Sequence, residues 1–392
     1  MARRVITRIV GLLLYFVAQS EEKCIVVEKN SLCDCLQDLY SNVTLQDRVI
    51  VNGNCGLEPF IVLPNERVKD IKFLTINRAI NNLTNHEFKN FIHLEQLSLY
   101  YNELEAIHVG LFQNQNLVWL QIKHSGVKTI ENEAFAHLPK LNKLRITQTK
   151  LTKITKNVFN NLPIETLSLS QNQITTIEKF AFANMTNLKK LFLDGNNLTV
   201  FNVPDYLTQP ETLERLWLHQ NQISEVTNYM LEGLTNLKIL NLGFNSISRI
   251  EPKTFEQTPK LETLVLTNNQ LTVMDGAMLP TTGLQNLKIL YMDHNRLMFL
   301  SSNFLFRLNS LKLMSIGGNP WQCPCLDLVL RWLHDNDVRL KCDKDFFGGK
   351  RPVCVVPLRR NSDVCVYSYD EKSYDLFETA YNMYPPVDYC VL

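Results

Sequence analysis

LERLWLHQNQI, residues 213–223, holds the reading that decides the fold. Leu213, Leu216, Leu218 and Ile223 are spaced like one buried side of a short strand and the turn that follows it. A strand sends neighbouring side chains to opposite faces. If Leu216 and Leu218 point into a core, Trp217 points away from it, beside Arg215 and His219. A tryptophan on the outside needs a reason.

The stretch is one copy of many. The pattern L-x-x-L-x-L-x-x-N-x-L starts at Ile71, Leu94, Leu117, Leu141, Ile164, Leu188, Leu213, Leu237, Leu261, Leu287 and Leu311, at intervals of 23 to 26 residues. LEQLSLYYNEL, IETLSLSQNQI, LKKLFLDGNNL, LKILNLGFNSI, LETLVLTNNQL and LKILYMDHNRL are further copies. An aromatic recurs later in the period, as Phe112, Phe135, Phe159, Phe182 and Phe255. One coil cannot bury these side chains alone, so neighbouring coils must stack. Position 9 is asparagine at Asn102, Asn172, Asn196, Asn221, Asn245, Asn269, Asn295 and Asn319. Its amide offers a donor and an acceptor to backbone groups that a sharp turn strips of strand partners. Ser125 and Thr149 put shorter hydroxyls there, and the first repeat has no asparagine in register, so those coils are expected to be looser.

These repeats resemble those of extracellular leucine-rich-repeat proteins, over about 250 residues and both ends. The resemblance implies an α/β repeat solenoid, a leucine-rich-repeat horseshoe with a parallel concave sheet and disulfide-stapled caps. It divides the chain into a signal peptide (1–20), a cysteine-rich N-terminal cap (21–70), a solenoid of eleven repeats (71–319), a C-terminal cysteine-rich cap (320–365) and an acidic, Tyr-rich tail (366–392). In NPWQCPCLDLVLRWL, Leu326, Val329, Leu330 and Leu333 recur at helical spacing, so a short helix is expected to cover the last repeat. GNPWQCPC and GKRPVCVV are similar to the caps of secreted insect members. Mosquito immune members of that kind carry a coiled coil after the repeats, whereas no heptads follow them here. By the same resemblance Cys323 and Cys325 each bond a later cap cysteine. Cys342 and Cys390 exceed the common four-cysteine form.

Arg3, Arg4 and Arg8 precede the apolar run Ile9–Val17, and Ala18-Gln19-Ser20 follows it, as in a secretory signal peptide. That run is too short to cross the roughly 30 Å hydrocarbon layer. No later segment is long enough either, so no membrane insertion is expected and the mature chain reads as secreted and extracellular. The cysteines agree: Cys24, Cys33, Cys35 and Cys55 stand at the front and Cys323, Cys325, Cys342, Cys354, Cys365 and Cys390 at the back. Even terminal groups in a secreted chain read as disulfide staples. Zinc is disfavoured by the spacing and the oxidising compartment, so neither metal nor cofactor is expected. With 40 basic against 39 acidic residues, nothing electrostatic points to nucleic acid.

Positions 3, 5, 7 and 8 of each repeat face the concave side, which places Trp217 there. Phe192, Trp217, Ile239, Phe244, Val265, Ile289, Tyr291 and Leu313 make one connected zone, with Arg215 and His219 beside it. Tyr100, Tyr101, Trp119, Lys123, Lys143 and Arg145 make an earlier one. A contiguous apolar patch with a polar rim marks an interface, and aromatics and arginine are its usual anchors. The alternative is that cap loops or repeat insertions cover these rings, or that neighbouring rings merely satisfy each other. The sequons at Asn42, Asn82, Asn184 and Asn197 fall off the strand positions and leave that face free of glycan. The tail residues Tyr367 to Tyr389, rich in Tyr, Asp and Glu, suit either sulfation and a basic partner or an extended segment laid on the cap; the terminal Cys390 favours the second. No G-x-S-x-G, H-E-x-x-H or complete P-loop occurs, so no enzyme is indicated. The reading is a secreted, non-enzymatic glycoprotein that binds a protein or glycan on its concave face, in innate immunity or extracellular complex assembly. A homodimer or heterodimer is compatible with it. The rival is a matrix or cell-adhesion component acting by self-association.

Overall fold

The computed structural model describes residues 25–27, 48–52, 69–77, 83, 88, 90–341, 351–356 and 364–384. The signal peptide, Asn42, Asn82, Cys24, Cys33, Cys35, Cys55, Cys342 and Cys390 lie outside the described residues. The chain forms two compact units, Met1–Leu151 with Asn157–Ile164, and Thr152–Lys156 with Glu165–Leu392.

In the first unit, β1 (Ile25–Val27), β2 (Arg48–Asn52), β3 (Phe73–Asn77), β4 (Gln96–Tyr100), β5 (Trp119–Lys123) and β6 (Lys143–Thr147) pair in chain order, all parallel. The sheet thus runs into residues that the sequence assigns to the N-terminal cap. Leu74, Leu97, Leu120 and Leu144 stand in register, so equivalent leucines pack coil on coil. Phe112 stacks on Phe135 at 6.4 Å and Phe135 on Phe159 at 6.0 Å, a ladder of rings through the middle of the coils. Each such pair is worth about 0.5–1.5 kcal/mol beyond its burial.

The second unit repeats the scheme with β7 (Thr166–Ser168), β8 (Lys190–Phe192), β9 (Arg215–Trp217), β10 (Ile239–Asn241), β11 (Thr263–Val265), β12 (Ile289–Tyr291), β13 (Leu313–Ser315) and β14 (Arg339–Leu340). Leu191, Leu216, Leu240, Leu264, Leu290 and Met314 form its inner rung. The side of the coils away from the sheet is built from 3-10 turns such as Thr254–Gln257 and two-residue parallel pairs such as Glu225–Val226 with Arg249–Ile250. Both units are repeat solenoids, as the periodicity implies.

The asparagines behave as a ladder in the second unit. Asn221 donates from Nδ2 to the carbonyls of Leu193 (3.0 Å) and Leu218 (3.1 Å), and its Oδ1 accepts from the Leu198 N–H (3.0 Å). Asn196, Asn245, Asn269 and Asn295 repeat the arrangement. Each amide therefore ties its own coil to the one before. In the first unit the pattern changes: Asn102 Oδ1 accepts from Leu104 in its own turn (3.1 Å), and Thr149 Oγ1 from Leu151 (3.3 Å).

Position 8 takes the left-handed backbone conformation in every described repeat from Leu94 onward. It does so at Tyr101, His124, Gln148, Gln171, Gly195, Gln220, Phe244, Asn268, His294 and Gly318. Only two of these are glycine, so the stack holds bulky residues where glycine is normally preferred.

At the C-terminal end α1 (Cys323–Asp335) buries Leu326, Val329 and Leu333, with Leu330 half-buried. Trp321 is buried and donates from Nε1 to the Ile316 carbonyl at 2.9 Å. Cys323 bonds Cys354 and Cys325 bonds Cys365, in line with the resemblance. The tail is not extended: α2 (Glu371–Tyr381) folds down on Ser373 and Phe377, both buried. Its Tyr374 ring lies 4.9 Å from the Arg296 guanidinium, and Tyr381 Oη meets His294 Nε2 at 3.0 Å. Among the described residues, no helix is long and apolar enough to cross a membrane.

Candidate functional site

The face of each sheet opposite the core carries the residues singled out from the sequence. In the first unit Trp119 on β5 is half-buried, and the exposed Lys143 and Arg145 on β6 place their cations 5.9 Å from its ring. The pairing of Trp119 with Lys143 and Gln121 with Arg145 across the two strands builds this cation–π group. Such contacts are worth about 0.5–1 kcal/mol where water reaches them. The Trp119 indole N–H is shielded and has no protein acceptor. Tyr101, at the turn after β4, stacks on His124 with centroids 4.6 Å apart and rings 6° from parallel.

In the second unit register places Phe192, Trp217, Asn241, Val265, Tyr291 and Ser315 in one row, and Lys190, Arg215, Ile239, Thr263, Ile289 and Leu313 in the next. Trp217 stacks on Phe192 at 4.3 Å and 15°, and both rings stay half-exposed on the face away from the core. Arg215 is exposed, and Ile239 and Phe244 are half-buried beside them. The opening question is thus answered: Trp217 is outside, and its neighbour's ring covers part of it.

The row does not stay open to its end. Val265 and Tyr291 are 2 % and 1 % exposed and form a small core of their own, against Ile289 and Leu313. Lys341 donates from Nζ to Tyr291 Oη at 2.9 Å while lying 5.2 Å from the ring. The expectation that Tyr291 is a surface ligand-binding residue therefore fails. It sits on the expected side of the sheet, but the C-terminal cap covers it. Asp293 is buried as well, accepting from Thr267 Oγ1 at 2.8 Å and from Ser315 Oγ, with His294 Nδ1 at 2.9 Å. His294, bridging Asp293 and Tyr381, fastens α2 to the repeats, a contact across 87 residues that no sequence pattern signals.

A polar line runs through position 7. Ser170 Oγ donates to Asp194 Oδ1 at 2.8 Å, and His219 Nε2 lies 3.8 Å from Asp194 Oδ2. Serine meets the carboxylate and not the imidazole, so this is not a nucleophile–base pair, which needs the base on the hydroxyl. Burial pushes the His219 pKa below the ordinary imidazole value, while Asp194 pulls it the other way. His219 and His294 are each engaged within their own neighbourhood by Asp194 and Asp293. Asn184 and Asn197, the two described sequon acceptors, are exposed and lie outside the strands.

Comparison with known proteins agrees with this architecture. Residues 105–206 match the family described as BspA type Leucine rich repeat region, in six copies, and residues 211–271 match the one described as Leucine rich repeat. Human chondroadherin is 44% identical over 75 residues, which is 19% of this chain and 20% of chondroadherin. The chain thus spans about a fifth of that relative's length. A chain in the crystal structure of the LRIM1/APL1C complex superposes with a TM-score of 0.61 at 21% identity, covering 86% of this chain and 57% of that one. The Toll–Spatzle complex of Drosophila gives 0.59 at 20%, covering 75% and 47%. The octameric complex of Latrophilin 3, Unc5D and FLRT2 gives 0.51 at 22%, covering 78% and 92%. At these identities the superpositions speak to fold alone.

Proposed function

We propose, from the premise that this chain is a leucine-rich-repeat protein, that it is a secreted, non-enzymatic recognition protein. It binds an extracellular protein or glycan on the open face of its sheets, in innate immunity or complex assembly. The observation that carries this reading is the Phe192–Trp217 stack, two large rings kept half-exposed on a surface where leucine has no role. Arg215, His219, Ile239 and Phe244 complete the patch in that unit; Tyr101, Trp119, Lys143 and Arg145 form the second patch in the other. Rings and arginines of this kind are the usual anchors of binding energy. The Toll–Spatzle complex, described as a hub in Drosophila development and innate immunity, shares the fold and is in line with the reading, as is the insect-type cap sequence. Glycans on Asn42, Asn82, Asn184 and Asn197 are part of it.

The test is affinity capture of the partner from the fluid that surrounds the protein in its source, then titration of that partner. Trp217→Ala is expected to weaken binding by about 2 kcal/mol or more, some thirtyfold. Unchanged affinity would remove the stack from the site. The second reading, a matrix or adhesion component that self-associates, is favoured by the local identity to chondroadherin. Light scattering decides between them: a homodimer that grows with concentration supports self-association, a persistent monomer supports a foreign ligand.

A further inference from the structure

Charge is balanced over the chain, 40 basic against 39 acidic residues, but not over the open face of the first unit. On β5 and β6 the side chains that alternate away from the leucine core are Trp119, Gln121 and Lys123, then Lys143, Arg145 and Thr147. Lys123, Lys143 and Arg145 are cations, and no acid stands among the six. Lys143 and Arg145 are exposed and Lys123 is half-buried. None of these cations has a carboxylate partner among the described residues. Elsewhere in the unit lysines do find one: Lys72 meets Glu95 and Lys128 meets Glu105. Like charges gathered on one face repel and oppose folding, so this face favours an anion laid over it.

Its surroundings narrow what that anion is. The Trp119 ring has the Lys143 and Arg145 cations each 5.9 Å away, so it holds two long side chains in place and is no open shelf for a sugar ring. Side chains fixed beforehand lose less freedom on binding. Lys143 and Arg145 stand two residues apart on one strand, so their stems leave the sheet about 6.6 Å apart, the step between alternate side chains of any extended chain. The basic group is also short. On β3 and β4 the outward residues are Phe73, Thr75, Asn77, Gln96, Ser98 and Tyr100, none of them charged. A long polyanion is held by many cations along its length, and these strands do not continue the row. Tyr100, paired with Lys123 across β4 and β5, instead puts a half-buried ring at the edge of the charges. Arginine and tyrosine side by side are typical anchors of a protein partner.

We infer that this face takes a short, extended acidic segment of a foreign protein partner, whose carboxylates meet Lys143, Arg145 and Lys123. The inference rests on the reading of the chain as a recognition protein, and it adds the chemistry that its second patch selects. The test is fluorescence anisotropy of the full chain at low salt with a labelled peptide of alternating glutamate and serine. Its counterparts with glutamine or lysine for glutamate, and a heparin octasaccharide, are titrated beside it. The glutamate peptide is expected to bind and the glutamine peptide not, with affinity falling severalfold as salt screens the charges. A Lys143→Glu, Arg145→Glu double variant, changed only at exposed positions, is expected to bind the glutamate peptide about tenfold or more weakly and to take the lysine peptide in its place. Trp217→Ala, in the other patch, is expected to leave this binding unchanged. No binding of the glutamate peptide, or equal binding by the double variant, overturns the inference. Tighter binding of the octasaccharide, lost in the same double variant, overturns it in favour of a sulfated glycan. A homodimer that the double variant abolishes overturns it in favour of a second copy of this chain. The reading beneath it fails separately, through a captured partner indifferent to Trp217→Ala. Thermal unfolding of each variant shows that it is folded.

Discussion

Trp217 loses part of its exposure to Phe192, not to the core, and that distinction sets what its replacement does. Trp217→Ala removes a ring pair worth about 0.5–1.5 kcal/mol, so the melting temperature is expected to fall by only a few degrees in differential scanning calorimetry. A collapse of the fold would make it a core residue. His219 gives a pH dependence from the same surface. Its folded pKa lies below the ordinary value near 6.5 because burial disfavours imidazolium, and the Asp194 carboxylate only partly offsets this. Between those two values the unfolded chain binds more protons than the folded one, so stability is fully present above about pH 6.5 and declines as pH falls through it. Urea midpoints measured at pH 7.5 and 5.5 should therefore drop more for the wild type than for His219→Gln. Equal drops would show that His219 titrates freely. At this scale the sequence was legible wherever period-2 alternation decides direction, as for Trp217, Arg215, Lys143 and Arg145. It was not legible for Tyr291, whose direction is right but whose burial depends on Lys341, 50 residues on.

Among the repeating elements the asparagine ladder decides how firmly one coil holds the next. Asn221→Ala would leave the buried Leu198 N–H without its acceptor and take one of two amide donors from each of the Leu193 and Leu218 carbonyls, which keep Asn196 and Asn245. Since one orphaned buried group costs about 1–3 kcal/mol, the loss is expected to be about 2 kcal/mol by chemical denaturation. Ser125→Ala removes a hydroxyl that bonds nothing in the protein and is expected to cost under about 0.5 kcal/mol. Equal losses at the two positions would mean that the ladder contributes nothing beyond local turn geometry. The change of hydrogen-bond pattern in the early coils could be read from Ser125 and Thr149 because a hydroxyl is shorter than an amide. The left-handed turn at position 8 could not, because Tyr, His, Gln, Phe and Asn stand there with only two glycines, and the stacked coils impose the conformation. The lysine–glutamate pairs between neighbouring coils, such as Lys128–Glu105 and Lys288–Glu262, are exposed and add little.

For the molecule as a whole, a stack of coils ends on apolar surface, and the C-terminal end shows how this chain closes it. Trp321 and the inner face of α1 cover the last coil, while the Cys325–Cys365 bond holds the segment that leads into α2. That helix then bears on the repeats through Phe377, Tyr374 and Tyr381. Its helical form escaped the sequence reading because an acidic, tyrosine-rich segment has no period that betrays a partner; the contacts that order it lie at Arg296 and His294, far back in the chain. If the disulfide is what keeps α2 seated, a Cys325→Ser, Cys365→Ser double variant loses the constraint on a 40-residue separation. Loss of a native disulfide of this kind costs about 2–5 kcal/mol. Hydrogen exchange is the measurement that locates the loss. Amides of Glu371–Tyr381 are expected to exchange much faster, while those of Arg215–Trp217 and Ile239–Asn241 keep their protection. Faster exchange in all three segments would mean that the bond stabilises the whole unit through its unfolded state. Unchanged exchange in α2 would mean that the His294–Tyr381 and Arg296–Tyr374 contacts hold the helix without it.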